Sequence, residues 1–227
     1  MNRNLLKIIA VITMIVDHIG WQFFPDIIWL RAIGRLTFPI FAFFIAQGMI
    51  YTRNRKKYIL TMLIIGLISQ LAYSFLSVSY FNLNVMFTFV LASLLIWTIE
   101  EIKNNSRKAK FWLILTLLVI SIVSLSLIST LNYGIYGVAL ILVFYFARDE
   151  KVIMYILATL ILFALTLKKW IFGGYSMASA VQIFSLLTIP ILMLYNGKKG
   201  KSNLKYLFYV FYPLHLIILL ILKMTIF

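Results

Sequence analysis

Apolar runs of about 17 to 22 residues recur along the whole chain, and each is long enough to cross a bilayer as a helix. A helix of 20 residues rises about 30 Å, which matches the thickness of the hydrocarbon core. The 227 residues are 63% hydrophobic and only 12% charged, with a mean hydropathy of +1.02, which is too apolar for a soluble domain. The pattern predicts an all-α polytopic membrane helix bundle, formed by a single domain over residues 1–227.

Charged and turn-forming clusters divide the chain into about nine transmembrane helices. The first run has ionisable residues in its interior and lacks a small-residue cleavage site, so we expect a retained helix rather than a signal peptide. The short sixth span begins with two glycines, and the sequence leaves open whether it crosses fully. The predicted spans cover approximately residues 4–24, 28–50, 57–77, 83–100, 111–130, 133–147, 151–168, 175–195 and 205–225.

The basic residues follow this division and predict an orientation. With a cytoplasmic N-terminus, the cytoplasmic segments hold 16 of the 21 lysines and arginines, which is the distribution expected for a membrane protein. The net charge of +15 is therefore explained by topology, and we expect no nucleic-acid partner. The predicted location is the bacterial cytoplasmic membrane, with membrane lipid around the bundle and the C-terminus outside.

Two adjacent ionisable residues, Asp17 and His18, lie inside the first run. Such groups are costly at that depth unless they line a cavity or find partners, so they are candidates for a functional site. Lys7 precedes His18 by eleven residues, which returns a helix to within about 20° of the same face and separates the two by ~16 Å. The spacing aligns a cation near one membrane surface with a base deep in the bilayer.

Polar residues from other spans are predicted to lie at a depth similar to that of His18. Arg31 and Arg35 share one face of the second helix because they are four residues apart. These arginines and Asp17 form either a functional cluster or an ion-paired cluster that only fixes packing. The other members of this polar layer are Gln70, Asn82, Asn84, Gln182, and His215 with Tyr212 one turn before it.

For the remaining polar residues, a purely structural role is an alternative to a functional one. His215 would be satisfied by a backbone carbonyl freed by Pro213, and Asn84, Gln70 and Gln182 would serve as hydrogen-bond links between helices. Trp21 belongs to an aromatic belt near the outer surface, or it walls a vestibule.

The chain has no cysteine, which excludes a thiolate nucleophile and a thiolate metal site. Two histidines and one carboxylate permit zinc in principle, but they form no His-x-x-x-His pair, and Asp17 points about 100° away from His18 on a helix. We expect no metal. A neutral imidazole acting as a general base suits these residues better.

These residues stand within strings that resemble the TraX family. The strings are "ITMIVDHIGW" at 12–21, "LRAIGRLTFPIFAFFIAQGMIYTRNRKKY" at 30–58, "LISQLAY" at 67–73, "NLNVMFTF" at 82–89 and "FYPLHLIIL" at 211–219. The resemblance covers essentially the whole chain and implies a membrane acetyltransferase, because the type member of that family N-acetylates the terminal amine of a conjugative pilin.

A wider similarity extends to type 3 membrane acyltransferases and heparan-glucosaminide N-acetyltransferases. The former carry a basic residue and a histidine ten positions removed in their first helix, matched here by Lys7 and His18. The latter carry an aromatic-rich "FPxFxFxxG" helix, which resembles the segment from Phe38 to Gly48 apart from a lengthened spacing before the glycine. His215 in "YPLH" is similar to a motif in the last helix of type 3 acyltransferases.

The resemblance and the residues together give a mechanistic hypothesis. Cytosolic acetyl-CoA would donate an acetyl group to an amine-bearing acceptor, such as a peptide, lipoprotein or glycan, on the far side. His18 would be the base or transient acyl acceptor, assisted by Asp17 and by Arg35, with His215 as a further catalytic candidate. The candidate residues for binding acetyl-CoA are Lys7, Arg53, Arg55, Lys56, Lys57 and Tyr212, and those for the acceptor are Asn84, Gln70, Trp21 and Arg31.

Two other classes of protein remain open at this stage. Buried histidine, aspartate and arginine also form proton relays and gates in transporters and channels, and a structural membrane scaffold would need no chemistry at all. The sequence also leaves open the acceptor, the length of the acyl group and the oligomeric state, and it permits a homo-oligomer.

Overall fold

The computed structural model describes residues 1–77, 82–104, 109–125, 133–198, 200 and 207–226, and all the regular elements in these ranges are helices. The all-α class is therefore confirmed. The elements are α1 Arg3–Gln22, α2 Ile28–Gly34, α3 Thr37–Tyr51, α4 Arg55–Ser77, α5 Val85–Asn104, α6 Ala109–Leu125, α7 Gly134–Phe146, α8 Lys151–Phe172, α9 Met177–Ala180, a 3₁₀ helix at Val181–Leu187, α10 Thr188–Met193 and α11 Leu207–Ile226.

Within the described ranges, six helical segments are long and apolar enough to cross a membrane. Three shorter apolar helices accompany them, at Phe111–Ile120, Gly134–Phe146 and Val181–Met193. The expected number of nine spans and the cytoplasmic N-terminus stay predictions. The six segments are Arg3–Gln22, Ile28–Tyr51, Arg55–Ser77, Val85–Asn104, Lys151–Phe172 and Tyr209–Ile226.

The outward surface of these helices is apolar. Only 22% of the most apolar part of Tyr209–Ile226 is buried within the protein, and 28% of that of Lys151–Phe172. Large aliphatic side chains such as Leu71 and Val152 are therefore exposed. Exposing such a continuous apolar surface to water is unfavourable, whereas contact with lipid tails is not. The chain is a membrane protein.

The chain forms two compact units, and the division falls inside α3 and after Lys151. In the first unit, Met1–Phe41 with Val152–Phe227, α1 packs against α2 and α11, and α2 packs against the 3₁₀ helix. In the second unit, Ala42–Lys151, α5 packs against α4, α6 and α7. Asp17 and both histidines belong to the first unit.

The predicted span 28–50 consists of two helices, because the helix breaks at Arg35 and Leu36. The carbonyl of Arg35 would normally accept a hydrogen bond from residue 39, which is a proline and has no N–H. The backbone N–H of Leu36 instead donates to the carbonyl of Ile33, at 3.2 Å, which tightens this turn. The break is local and lies directly beside the ionisable cluster.

Two further predicted spans differ from the structure. The span 175–195 is composed of α9, the 3₁₀ helix and α10 rather than one regular helix, and its long 3₁₀ segment is followed by Pro190. Helix α8 continues to Phe172, four residues beyond the predicted end at 168. Lys168 and Lys169 therefore lie inside the last turns of α8, where the helix dipole favours cations.

Candidate functional site

The carboxylate of Asp17 forms the centre of an ion-paired cluster in the first unit. One of its oxygens, Oδ1, lies 2.8 Å from Nη1 of Arg31 and 3.1 Å from Nη2 of Arg35. Arg31 also donates to the backbone carbonyl of Asp17, at 2.8 Å. Two arginines from α2 and its C-terminal turn are thereby tied to the last turns of α1, and the three side chains are 10% to 26% exposed.

The cluster extends to the 3₁₀ helix and α8 through the amide of Gln182. Its Oε1 accepts hydrogen bonds from Nη1 of Arg35 at 3.4 Å and from Nζ of Lys169 at 3.1 Å. Both donors are cations, so the amide oxygen must face them, and this fixes the orientation of the amide group. The other amide atom, Nε2, is buried and has no hydrogen-bond partner among the described residues.

Gly34 gives the Asp17 carboxylate the space that it occupies. A Cβ atom at position 34 would collide with the carboxyl group and Cβ of Asp17. The sequence alone does not predict this role, because the neighbour of Gly34 is a charged side chain from another helix.

Replacing Gly34 with alanine is expected to displace the Asp17 carboxylate and lengthen its contacts with both arginines. Overpacking of a well-packed site costs about 1–3 kcal/mol, so we expect a lower unfolding temperature of the detergent-solubilised protein. Gly48→Ala serves as a comparison, because a Cβ there would meet the ring end of Tyr58 rather than a carboxylate. An unchanged unfolding temperature of the Gly34→Ala variant would contradict the role assigned to Gly34.

The two histidines of the chain lie next to each other. The rings of His18 in α1 and His215 in α11 are 5.0 Å apart between centroids, inclined by 55°. His18 also contacts Trp21, with the ring centroids 5.9 Å apart, and His215 contacts the buried Tyr212 at 5.5 Å. The structure therefore brings together four of the predicted site residues.

Each histidine uses Nδ1 to bond the backbone of its own helix. His18 bonds the carbonyl of Met14 and His215 that of Phe211, both at 3.0 Å. A carbonyl only accepts hydrogen bonds, so each Nδ1 carries the proton, and in the neutral ring Nε2 has the free lone pair. The partner of His215 is thus its own i−4 carbonyl rather than the one freed by Pro213, and Met14 rather than Asp17 orients His18.

The orientation leaves His215 with a base atom inside the protein. Its Nε2 is buried without a hydrogen-bond partner among the described residues, and the residue as a whole is only 6% exposed. Unsatisfied polar atoms of this kind are rare in folded proteins, and each calls for an explanation.

A pocket of about 520 Å³ adjoins the cluster. Trp21 connects it to the histidines, because this side chain both contacts His18 and lines the pocket. The volume is large enough for a small organic molecule or the end of a longer one. The charged and amide residues that line it are Arg31, Arg35, Lys168, Lys169 and Gln182.

Two predicted acceptor-binding residues, Gln70 and Asn84, lie in the second unit and bond each other. Nδ2 of Asn84 donates to Oε1 of Gln70 at 2.9 Å and to the carbonyl of Gly66 at 2.8 Å. The carbonyl of Asn82 accepts from Nε2 of Gln70 at 2.8 Å. This arrangement ties α4 to the start of α5, so these residues form the hydrogen-bond link between helices that is the non-functional alternative for them.

The basic residues predicted to bind acetyl-CoA gather around the start of α4, also in the second unit. Arg53, Lys56 and Lys57 are exposed, and Arg55 donates to the hydroxyl of Tyr145 at 3.2 Å. The positive end of the helix dipole adds to their charge and favours an anionic ligand. Lys7 lies in the first unit, in the same helix as His18.

Lys168 and Lys169 are the pocket residues that sequence reasoning missed. The sequence nevertheless contains a clue to them. Two adjacent lysines at the end of a long apolar run are costly in a membrane unless they face a cavity or a partner.

The fold and the site together define a polytopic helical membrane protein with a buried ion-paired cluster, two adjacent histidines and a basic pocket. Comparison with known proteins gives the family. The chain belongs to the TraX family: the family model described as TraX protein matches residues 2–223.

Three relatives illustrate the spread of similar proteins. A probable fimbrial assembly protein, FimC of serogroup H1 from Dichelobacter nodosus, is 31% identical, over 88% of each chain. An uncharacterized protein of Rickettsia prowazekii (strain Madrid E) is 26% identical over 66% of this chain and 57% of its own. Protein TraX of Escherichia coli is 29% identical over 63% of this chain and 55% of its own. No solved structure matches.

Proposed function

We propose that this TraX-family protein is a membrane acetyltransferase of the bacterial cytoplasmic membrane. It moves an acetyl group from cytosolic acetyl-CoA to an amine on the extracytoplasmic side. The relative in Dichelobacter nodosus is named as a probable fimbrial assembly protein, which favours a pilin-like peptide N-terminus as the acceptor. Lipoprotein and glycan amines are the other acceptors to be tested.

The observation that carries this proposal is the histidine pair beside the pocket. Nδ1 of each ring is held by a backbone carbonyl, so each Nε2 is the basic atom. Trp21 links His18 to a pocket that has room for an acceptor. A fixed imidazole base next to a cavity is the arrangement required for deprotonating an amine during acyl transfer.

We propose the following reaction for these residues. The acceptor nitrogen attacks the thioester carbonyl carbon while Nε2 of His18 takes the proton from the amine, and the C–S bond to CoA then breaks. The proton passes to the leaving CoA sulfur, directly or through His215. Arg35 supplies positive charge near the developing oxyanion. Transient acetylation of His18 is the other route, with the acyl group transferred in a second step.

The donor side is assigned to cations outside the pocket. In the first unit, Lys7 is the candidate for binding the phosphates of acetyl-CoA and Tyr212 for the pantetheine arm. In the second unit, the candidates for the phosphates are Arg53, Arg55, Lys56 and Lys57. Two observations support this assignment, the positive charge of these residues and their positions. Lys7 lies in the same helix as His18, and the other basic residues surround the N-terminal end of α4.

The proposal is tested by acetyl transfer in proteoliposomes containing the full chain. Labelled acetyl-CoA is supplied on one side and a short peptide with a free N-terminus on the other, and acetylated peptide is measured by mass spectrometry. Transfer that requires the protein supports the proposal. Proton-dependent flux without any CoA binding or transfer would overturn it in favour of a transporter.

Lys7→Ala is expected to raise the apparent KM for acetyl-CoA about tenfold with little change in kcat, because one charge-assisted phosphate contact is lost. Lys7→Arg keeps the charge and should restore the constant. The measurement is the initial rate of transfer against donor concentration at saturating acceptor. An unchanged KM for acetyl-CoA in Lys7→Ala would show that Lys7 does not bind the donor.

A further inference from the structure

The pocket of the first unit carries a strong positive charge. Four of its lining residues are cations, and it is lined by no acidic residue of the described chain. The adjacent carboxylate of Asp17 balances one of these charges through its contacts with Arg31 and Arg35. The walls therefore retain a formal excess of positive charge, in a setting of low dielectric constant where charge is costly to leave uncompensated.

One residue that lines the pocket, Gln182, has a buried hydrogen-bond donor. Gln182 is 2% exposed, and its Nε2 lacks a partner among the described residues, while its Oε1 is held by Arg35 and Lys169. The amide is therefore fixed with its oxygen toward the cations and its N–H₂ group unused. A ligand that accepts hydrogen bonds would satisfy this group.

We propose that this pocket binds an oxyanion, a carboxylate or a phosphate monoester, through Lys168, Lys169, Arg31 and the amide N–H₂ of Gln182. Both candidate ligands are planar or tetrahedral groups of oxygens that accept several hydrogen bonds from basic side chains. A free ammonium group would instead be repelled by the same walls.

The second step of the inference rests on the proposed function, and it concerns the acceptor. The pocket lies beside the histidine pair through Trp21, so an oxyanion bound there would anchor a molecule whose amine reaches His18. The acceptor would then carry a negative group close to its amine. This arrangement also excludes amines that lack such a group, because repulsion by the lysines would go uncompensated.

Three small probes test the site on the detergent-solubilised full chain without acetyl-CoA. Phosphoethanolamine has an amine and a phosphate, β-alanine has an amine and a carboxylate, and ethanolamine has the amine alone. We expect at least one of the two anionic probes to bind about tenfold more tightly than ethanolamine in isothermal titration calorimetry. Which of them binds distinguishes phosphate from carboxylate, and equal binding of all three would overturn the proposal.

Two variants and a control test whether the anionic probe binds in this pocket. Gln182→Glu keeps the size of the side chain and an oxygen for Arg35 and Lys169, but it places a fixed negative charge in the pocket. Lys168→Gln removes one cation. Both should weaken binding of the preferred anionic probe about tenfold, whereas Lys151→Gln, at the exposed start of the same helix, should not. Equal effects of Lys168→Gln and Lys151→Gln would overturn the assignment.

The outcomes separate this inference from the proposed function. Preferential binding of an anionic probe with no acetyl transfer to any amine would reject the acetyltransferase but retain the oxyanion site. Acetyl transfer at equal rates to ethanolamine and to both anionic amines would retain the enzyme and overturn the anionic acceptor.

Discussion

Replacement of His18 by alanine is expected to lower acetyl transfer by at least about 100-fold, because general base catalysis typically contributes 10²–10⁴-fold. In the structure, Nδ1 of His18 is committed to the Met14 carbonyl, so Nε2 is the atom that would accept the proton of the amine. The chain has one other histidine, His215, and its ring lies against that of His18. The measurement is kcat for transfer in proteoliposomes at saturating donor and acceptor.

Ile12→Ala provides the matched control for His18→Ala. Ile12 lies in the same helix and is 53% exposed, so its truncation changes the lipid-facing surface and not the site. It should retain nearly full transfer. Transfer by His18→Ala at the rate of Ile12→Ala would refute the catalytic assignment of His18. Mass spectrometry of the stalled enzyme distinguishes the two routes, since an acetylated His18 would show the nucleophilic one.

Asp17→Asn is expected to destabilise the protein by about 3–5 kcal/mol, which is the typical cost of leaving a buried charge unpaired. Asparagine has nearly the same shape and keeps an oxygen that accepts a hydrogen bond, so the change isolates the charge. Without the negative charge of Asp17, the cations Arg31, Arg35 and Lys169 have no carboxylate between them. The measurement is the free energy of unfolding in mixed micelles, obtained by denaturant titration.

A second ion pair of the chain supplies the control for Asp17→Asn. Arg148 and Asp149 are adjacent in sequence, 3.7 Å apart, and the Asp149 side chain is 84% exposed. Exposed pairs of this kind contribute about 0–1 kcal/mol, so Asp149→Asn should barely change stability. Equal effects of the two substitutions would show that the Asp17 cluster is screened by solvent and does not hold α1 to α2.

The sequence predicted the helices and much of the cluster for physical reasons. Apolar runs must be helical in lipid, because no other backbone arrangement within a single run satisfies its own hydrogen bonds. Asp17, Arg31 and Arg35 could be predicted to meet, since charges of opposite sign in adjacent spans lower each other's cost. Those three residues, and His18 as the neighbouring base, are recovered in one unit of the structure.

Other parts of the site depend on geometry that a linear pattern does not contain. The orientation of each imidazole is set by a carbonyl of its own helix, which any histidine in a helix has available. Helix α8 continues past residue 168, and Lys168 and Lys169 within it line a pocket that no linear pattern shows. Gln182 looked like one of several amides, and only its place between Arg35 and Lys169 distinguishes it from Gln70.

The short chain distance between Asp17 and its arginines has a consequence for how the protein enters the membrane during synthesis. Arg35 follows Asp17 by only 18 residues, so the three charged groups emerge from the ribosome within the first helical hairpin. Each of them alone would cost roughly 2.5–3.5 kcal/mol at the centre of a bilayer on the insertion scale. Paired, they can be inserted as one partly neutralised unit, before the helix that carries Lys169 has been translated.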